Sequence, residues 1–244
     1  MKSPATMAQC ECASKEEYIE RLFTSIAPRY DLLNSLLSFN RHKYWRRFAV
    51  GQCDLWPGDT ALDVCAGTGD FAIELAGTVG AHGRVVAVDF CRPMLEIGRR
   101  KLEKRRVPNV CLTEGNAEHL PLPSNSFRAA TIGFALRNVA SVENTLAEMT
   151  RVVEPGGRVV SLELAKPCGR LFGPIYNLYF YHILPLIGGA VNGRRELYEY
   201  LPASLTTFHS RKELSQIMEK VGLADIRVHD LTGGVAAVHV GIKK

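Results

Sequence analysis

The sequence predicts an α/β fold: a mostly parallel sheet with helices on both faces, finished by a C-terminal antiparallel hairpin. Three observations carry that expectation. Short β-rich apolar runs alternate with helical segments from Ala61 to Leu164, the rhythm of strand–helix–strand crossovers. The first run closes on Gly67-Thr68-Gly69, where glycine lets backbone turn sharply and approach a ligand closely. Near the C-terminus only Thr232-Gly233-Gly234 separates two strand-like runs, a connector too short for anything but an antiparallel pair.

Residues 1–15 read as a polar, flexible arm. Residues 16–56 form a helical prelude, with Tyr18, Ile19, Leu22, Phe23 and Ile26 at helical spacing. Pro28 breaks that run; Leu32, Leu33, Leu36 and Leu37 mark a second helical segment, and Tyr44, Trp45 and Phe48 a third. The turn Trp56-Pro57-Gly58-Asp59 opens the sheet domain, residues 57–244. Strands are expected at Ala61–Ala66, Arg84–Phe90, Val110–Leu112, Ala129–Leu136 and Arg158–Leu164. Helices are expected at Asp70–Val79, at Pro93–Arg106 with proline in an allowed early position, and at Ser141–Val153 with Ser141 as N-cap. Glu154-Pro155-Gly156-Gly157 is read as the stop of that last helix. An insertion at about 169–209 holds the apolar, aromatic stretch Leu171–Val191. Ser210 then caps a helix over Arg211–Val221, and Ile226–Leu231 and Val235–Ile242 make the hairpin.

The chain has 244 residues, 46% apolar and 23% charged, which excludes a disordered polymer. No uninterrupted apolar run reaches the length of a membrane span, and no apolar signal core follows Met1; the expected location is cytoplasmic. The seven cysteines contain no C-x-x-C, so neither a disulfide framework nor a metal site is expected. Cys10 and Cys12 read as free thiols on the arm, and Cys65, Cys91 and Cys111 as small core residues. The net charge of +5 is too mild for a nucleic-acid partner, although basic residues cluster at Arg41–Arg47 and Arg99–Arg106.

Gly67-Thr68-Gly69 with Ala72 satisfies the loose fingerprint G-x-G-x-x-G/A, and Asp89 ends the next strand where a carboxylate accepts bonds from ribose hydroxyls. On that pattern NAD and S-adenosylmethionine are both open. Charge is read as separating them: Asp70 at the helix start and Asp63 before the loop would repel a diphosphate at the helix N-terminus. A sulfonium and an ammonium would be welcome there. The turn Glu114-Gly115-Asn116-Ala117-Glu118 follows the third strand, where an adenine edge is read in such sheets.

Two further segments carry a family likeness. Tyr30-Asp31-Leu32-Leu33-Asn34-Ser35-Leu36-Leu37-Ser38-Phe39-Asn40-Arg41-His42-Lys43-Tyr44-Trp45 matches the form Y-D-x-x-N-x-x-x-S-x-x-x-H-x-x-W, and Arg151-Val152-Val153-Glu154-Pro155-Gly156-Gly157-Arg158 runs on to Glu163. Phe134-Ala135-Leu136-Arg137-Asn138-Val139 is similar to an F-G-L-R-N segment, with Ala135 in place of the usual glycine. From about Tyr18 onward the chain resembles the ubiquinone/menaquinone biosynthesis C-methyltransferase family, a branch of the class I S-adenosylmethionine-dependent methyltransferases. The resemblance implies a Rossmann-like seven-stranded methyltransferase sheet. It also implies cofactor contacts at Thr68, Asp89, Asn116 and Ala117, and a backbone contact at Gly133, beside the loop residues Asp63, Gly67 and Gly69. The substrate it implies is a polyprenyl quinol, either demethylmenaquinol or 2-methoxy-6-polyprenyl-benzoquinol, methylated at a ring carbon.

That chemistry needs an electron-rich ring carbon aligned with the methyl donor, and a way to remove protons. Arg137 is the candidate to stabilise a forming phenolate. Asn138 is expected to orient a hydroxyl or water, and Tyr30, on the prelude that should cover the crevice, to bond the quinol oxygen. His42 is expected to titrate near neutrality and relay protons, with His209 a weaker candidate. Leu171–Val191 is read as a lid for the isoprenoid tail. Together with Arg194, Arg195 and Arg41–Arg47 it suggests peripheral contact with anionic lipid. A homodimer is left open. Other readings are a methyltransferase of different specificity and a non-catalytic protein that binds the cofactor only to stay folded.

Overall fold

The computed structural model describes residues 15–167 and 204–244. The arm with its Cys10 and Cys12, the aromatic stretch Leu171–Val191, and Arg194 and Arg195 therefore lie outside the described residues. The prelude forms helices α1 (Lys15–Ile26), α2 (Tyr30–Leu37) and α3 (Arg41–Gly51), with a short 3-10 turn over Ala27–Arg29 between the first two. Pro28 sits in that turn, where its missing N–H costs no helical bond. Asn40, at φ 60°, reverses the chain before α3.

The sheet is built from β1 (Thr60–Val64), β2 (Arg84–Asp89), β3 (Val110–Glu114), β4 (Phe127–Gly133), β5 (Val153–Leu164), β6 (Leu223–Leu231) and β7 (Ala236–Lys243). Its order is β3-β2-β1-β4-β5-β7-β6. The pairs β1·β2, β2·β3, β1·β4 and β4·β5 are parallel, whereas β7 runs antiparallel to both β5 and β6. This is the expected seven-stranded sheet with a closing hairpin. Helices α4 (Asp70–Val79) and α5 (Arg92–Arg105) follow β1 and β2; α6 (Val142–Val152) follows β4, and α7 (Arg211–Lys220) precedes β6.

Register divides the core in two. Ala61, Val85, Ala87 and Ala129 face α4 and α3, packing with Phe71, Leu75 and Trp45. Leu62, Val88, Ala130 and Val159 face the other way, onto Leu146 and Met149 of α6 and Leu214 and Met218 of α7. Both faces are covered, as a parallel sheet requires. Trp45 also ties the prelude to the hairpin turn, its indole N–H donating to Thr232 Oγ1 at 2.8 Å.

Some expectations need correction. Strand β5 begins at Val153 and carries Glu154-Pro155-Gly156-Gly157 inside it, where the sequence pattern predicts a helix stop. The register shifts there, between Phe127 and Ala129 of β4. A Cβ on Gly157 would lie 2.6 Å from the Arg128 carbonyl oxygen, so the two backbones approach too closely for any larger residue. Strand β4 stops at Gly133, before Phe134, Ala135 and Leu136, which form the loop beyond it. Cys111 is exposed on β3, the edge strand, instead of buried.

Candidate active site

The chain leaves β1 towards β2 and β3 on one side, and resumes at β4 on the other. That reversal opens a crevice at the carboxyl ends of β1 and β4, where ligands bind in open α/β sheets. The loop into it is sharply bent, with Cys65 at φ 55°, Gly67 at 55° and Gly69 at 76°. Gly69 is the N-cap of α4. Asp89, at the end of β2, fastens the loop: its Oδ2 accepts from Gly67 N–H at 2.7 Å, and its Oδ1 from Cys91 N–H at 2.8 Å.

A cleft of about 800 Å³, counting its open mouth, lies over this loop. Tyr30, Gly67, Asp89, Asn116, Ala117, Gly133 and Asn138 all line it, so seven residues singled out in the sequence share one cavity. Ile19 and Phe23 of α1, Phe90, Met94 and Phe134 complete its apolar wall. Sequence reasoning missed these as site residues, although the helical spacing of Ile19 and Phe23 had marked an apolar face. Asn116 shapes the turn after β3 by accepting from Glu118 N–H at 2.8 Å. Gly133 has no room for a side chain, since a Cβ would meet the Phe71 ring at 2.9 Å.

A smaller pocket adjoins the cleft, sharing Tyr30, Gly67 and Gly133 with it and adding Arg46, Asp63, Thr68 and Asp70. Asp63 is buried. Its Oδ1 accepts from the Thr131 hydroxyl at 3.0 Å, and its Oδ2 has no partner. Burial, opposed by the Thr131 hydroxyl and the Ala72 amide, pushes its carboxyl up to about 7. Burial likewise raises Asp89 to about 6, despite its two amide bonds. Asp70 behaves differently: Arg46 and Lys101 bond its two oxygens at 2.8 and 2.7 Å. Burial works against its ionised form, but these cations hold its carboxyl below the ordinary value. The charge argument from the sequence is corrected accordingly. Asp70 is neutralised by its partners, and the unbalanced acidity facing the site belongs to Asp63 and Asp89.

Arg137 and His42 lie outside the cleft lining. Arg137 turns onto Glu163, with its guanidinium 2.9 Å from Oε2. Glu163 is fully buried, and its Oε1 accepts from Leu136 N–H at 2.7 Å; the carboxylate thus holds the β4 loop as well as the arginine. Arg137 Nε has no partner, and its charge reaches the Tyr30 hydroxyl. Burial nevertheless raises that phenol, keeping it a neutral donor. Asn138 Nδ2 donates to the Phe134 carbonyl at 3.4 Å.

His42 is buried on α3, with Nδ1 2.6 Å from Ser38 Oγ. The Ser38 hydroxyl donates its single proton to the Asn34 carbonyl, so Nδ1 must carry hydrogen and donate. Burial, aided by Arg46, pushes this imidazole down to about 4. The expected titration near neutrality is therefore corrected: His42 is neutral at working pH. His209 is exposed, its ring beside Phe208, and is not part of the cleft lining.

The residues present fit S-adenosylmethionine. Asp63 Oδ2, buried and unpartnered beside the glycine loop, calls for a positive donor such as an ammonium. Asp89 presents the end-of-strand carboxylate to which ribose hydroxyls bind.

Comparison with known proteins agrees. The model of the ubiE/COQ5 methyltransferase family matches residues 11–243. Proteins named demethylmenaquinone methyltransferase from Bacillus cereus and Bacillus anthracis are each 46% identical to this chain over 230 residues, covering 94% of it and 97% of the relative. A SAM-dependent methyltransferase from Aquifex aeolicus superposes with a TM-score of 0.64 at 21% identity, covering 88% of this chain and 98% of its own. Phosphoethanolamine N-methyltransferase 2 of Haemonchus contortus, solved with S-adenosyl-L-methionine, gives 0.62 at 13% identity, covering 96% of this chain and 60% of its own. With its sheet order, glycine loop and acid-lined crevice, the chain belongs to the ubiE/COQ5 methyltransferase family and is an S-adenosylmethionine-dependent methyltransferase.

Proposed function

We propose that this protein methylates a ring carbon of a reduced polyprenyl quinone, with demethylmenaquinol as the substrate. The observation that carries the reading is the 46% identity, over 94% of the chain, to relatives named for that activity. When bound, S-adenosylmethionine supplies an electrophilic methyl group on sulfonium. Asp63 and Asp89 are assigned to its ammonium and ribose, and Asn116 and Ala117 to its adenine. Thr68 and the backbone of Gly67 and Gly69 are assigned to shaping the loop around it, and the backbone of Gly133, at the end of β4, to a contact with it.

The chain's own contribution is positioning and charge. Tyr30, held protonated in its half-buried setting, donates to a quinol oxygen. Asn138 orients the second oxygen or a water, and a water takes up the ring proton released as the methyl group is transferred. Arg137 stabilises negative charge developing on the ring oxygen through its field, with Glu163 fixing where that charge sits. The apolar wall of Ile19, Phe23 and Phe134 excludes water from the ring. His42 serves as an anchor of α3, not as a relay. Supplying labelled cofactor with reduced demethylmenaquinone and, separately, reduced 2-methoxy-6-polyprenyl-benzoquinone tests the reading. The naphthoquinol should be methylated at least tenfold faster; preference for the benzoquinol, or no turnover on either ring, overturns it.

The prelude is assigned as cover of the substrate site, because α1 and α2 contribute to the cleft wall. No described helix is long and apolar enough to cross a membrane. Peripheral attachment is supported by Leu32 and Leu36, exposed at 52% and 43% on α2, with Arg41, Lys43 and Arg47 following on α3. Co-sedimentation with anionic vesicles at low salt, lost at high salt, is the expected outcome.

A further inference from the structure

We propose that Lys101 is a positioning residue that locks the glycine loop to the helical prelude, so that the cofactor site takes its shape only with α2 and α3 seated. The proposal rests on the reading of Gly67–Gly69 as the cofactor loop. Lys101 lies on α5, remote in sequence from both partners, with its side chain 13% exposed. Its ammonium bonds three oxygens: Asp31 Oδ2 at 2.6 Å, Asp70 Oδ1 at 2.7 Å and Thr68 Oγ1 at 2.9 Å. An ammonium has three donors, so every one is spent. Thr68 in turn donates to Asp31 Oδ1 at 2.6 Å, closing a ring between α2, the loop and α5. Arg46 of α3 joins at Asp70 Oδ2.

The two carboxylates and two cations cancel, so the cluster offers no net charge to a ligand. Its product is geometry. The Thr68 hydroxyl, whose proton goes to Asp31 while it accepts from Lys101, is committed to the prelude. A second contact on the same face of α5 supports this. Gly98, one turn before Lys101, lies so close to the loop that a Cβ would sit 3.3 Å from the Thr68 carbonyl carbon. Backbone approach at Gly98 and charge at Lys101 hold one loop from one helix. Since α2 also places Tyr30 in the cleft, the loop is fastened to an element that forms part of the cleft wall.

Lys101→Met removes all three donors and leaves Asp70 its Arg46 partner. In the cofactor-free protein, hydrogen exchange should quicken together in residues 30–37 and 66–71. By calorimetry, S-adenosylmethionine should bind about tenfold more weakly, while kcat at saturating cofactor falls less than threefold. Lys101→Arg should not rescue affinity, because a planar fork cannot reproduce three divergent bonds. Asp31→Asn, a milder change that keeps the fold, should give a smaller loss in the same direction. Exchange confined to α5, or affinity within twofold of the wild type in both Lys101→Met and Asp31→Asn, overturns the proposal. If the wild type itself fails to bind S-adenosylmethionine while the two segments still loosen together, the cofactor reading falls and the lock stands.

Discussion

Asp63 has one oxygen on Thr131 and the other bare, in a pocket that adjoins the glycine loop. With its carboxyl raised to about 7, a good part of the population is protonated near neutrality, and a bound ammonium would drive that proton off. Calorimetry at pH 6.5 in buffers of different ionisation enthalpy should therefore show proton release on binding S-adenosylmethionine. Asp63→Asn should abolish most of the release and weaken binding by about tenfold or more, as expected for loss of a hydrogen bond to a charged group. Arg137 calls for a different design. Arg137→Ala should remove turnover and leave cofactor affinity nearly intact, but it strands buried Glu163, at about 3–5 kcal/mol of stability. Arg137→Lys keeps a cation for Glu163, and with it the field, so it should retain the thermal midpoint and most of kcat. At this scale the placement of Gly67 and Asp89 at the cleft was legible, because local motif spacing sets it. The neutralisation of Asp70 was not, because Arg46 and Lys101 reach it from 24 and 31 residues away. Nor was the fate of His42, whose burial follows from the packing of the prelude.

Among the elements, periodicity and turn chemistry revealed the helices and the hairpin well. Ser210 caps α7 as expected, in a full capping box with Glu213, and Ser141 caps α6 by accepting from Asn144 N–H. The misreading came where one pattern has two physical meanings. Glu-Pro-Gly-Gly ends a helix, yet the same residues suit an irregular strand whose partner approaches closely. Val153 belongs to that strand, while α6 ends one residue earlier. Gly157→Ala is the test. Its Cβ would enter the space of the Arg128 carbonyl and the Val153 side chain, so destabilisation of about 1–3 kcal/mol is expected by denaturant melt. An unchanged midpoint would mean that β4 and β5 separate there at little cost. The sequence pattern predicts strand through Leu136, but β4 ends at Gly133. Phe134 instead takes a positive φ of 59°, and the buried carboxylate of Glu163 captures the amide of Leu136.

For the whole molecule, the buried titratable groups oppose each other in pH. Asp63 and Asp89 have raised values when folded, about 7 and 6. Between pH 4 and 7 the folded state therefore holds more protons at these sites than the unfolded chain, and their contribution to stability falls as pH rises. His42, lowered to about 4, and His239, lowered by burial, act in the opposite sense: the unfolded chain binds their protons, and stability rises through the same window. The two trends partly cancel in the wild type. Asp63→Asn removes one falling component, so its unfolding free energy should climb more steeply from pH 4 to 6.5, as followed by urea titration across that range. The overall architecture was readable because strand–helix alternation and short connectors leave few topologies open. The place of β7 between β5 and β6 was not, since nothing local in Ala236–Lys243 says which neighbour it will join.

That place has a consequence for biogenesis. Among the described residues β7 is the last strand in the chain, yet it is the bridge from β5 to β6. Until residues 236–243 emerge, the nascent polypeptide displays the bare hydrogen-bonding edge of β5 and a β6 with nothing to pair against, the kind of template that recruits foreign strands. Chaperone dependence should accordingly be greatest before β7 has docked between β5 and β6.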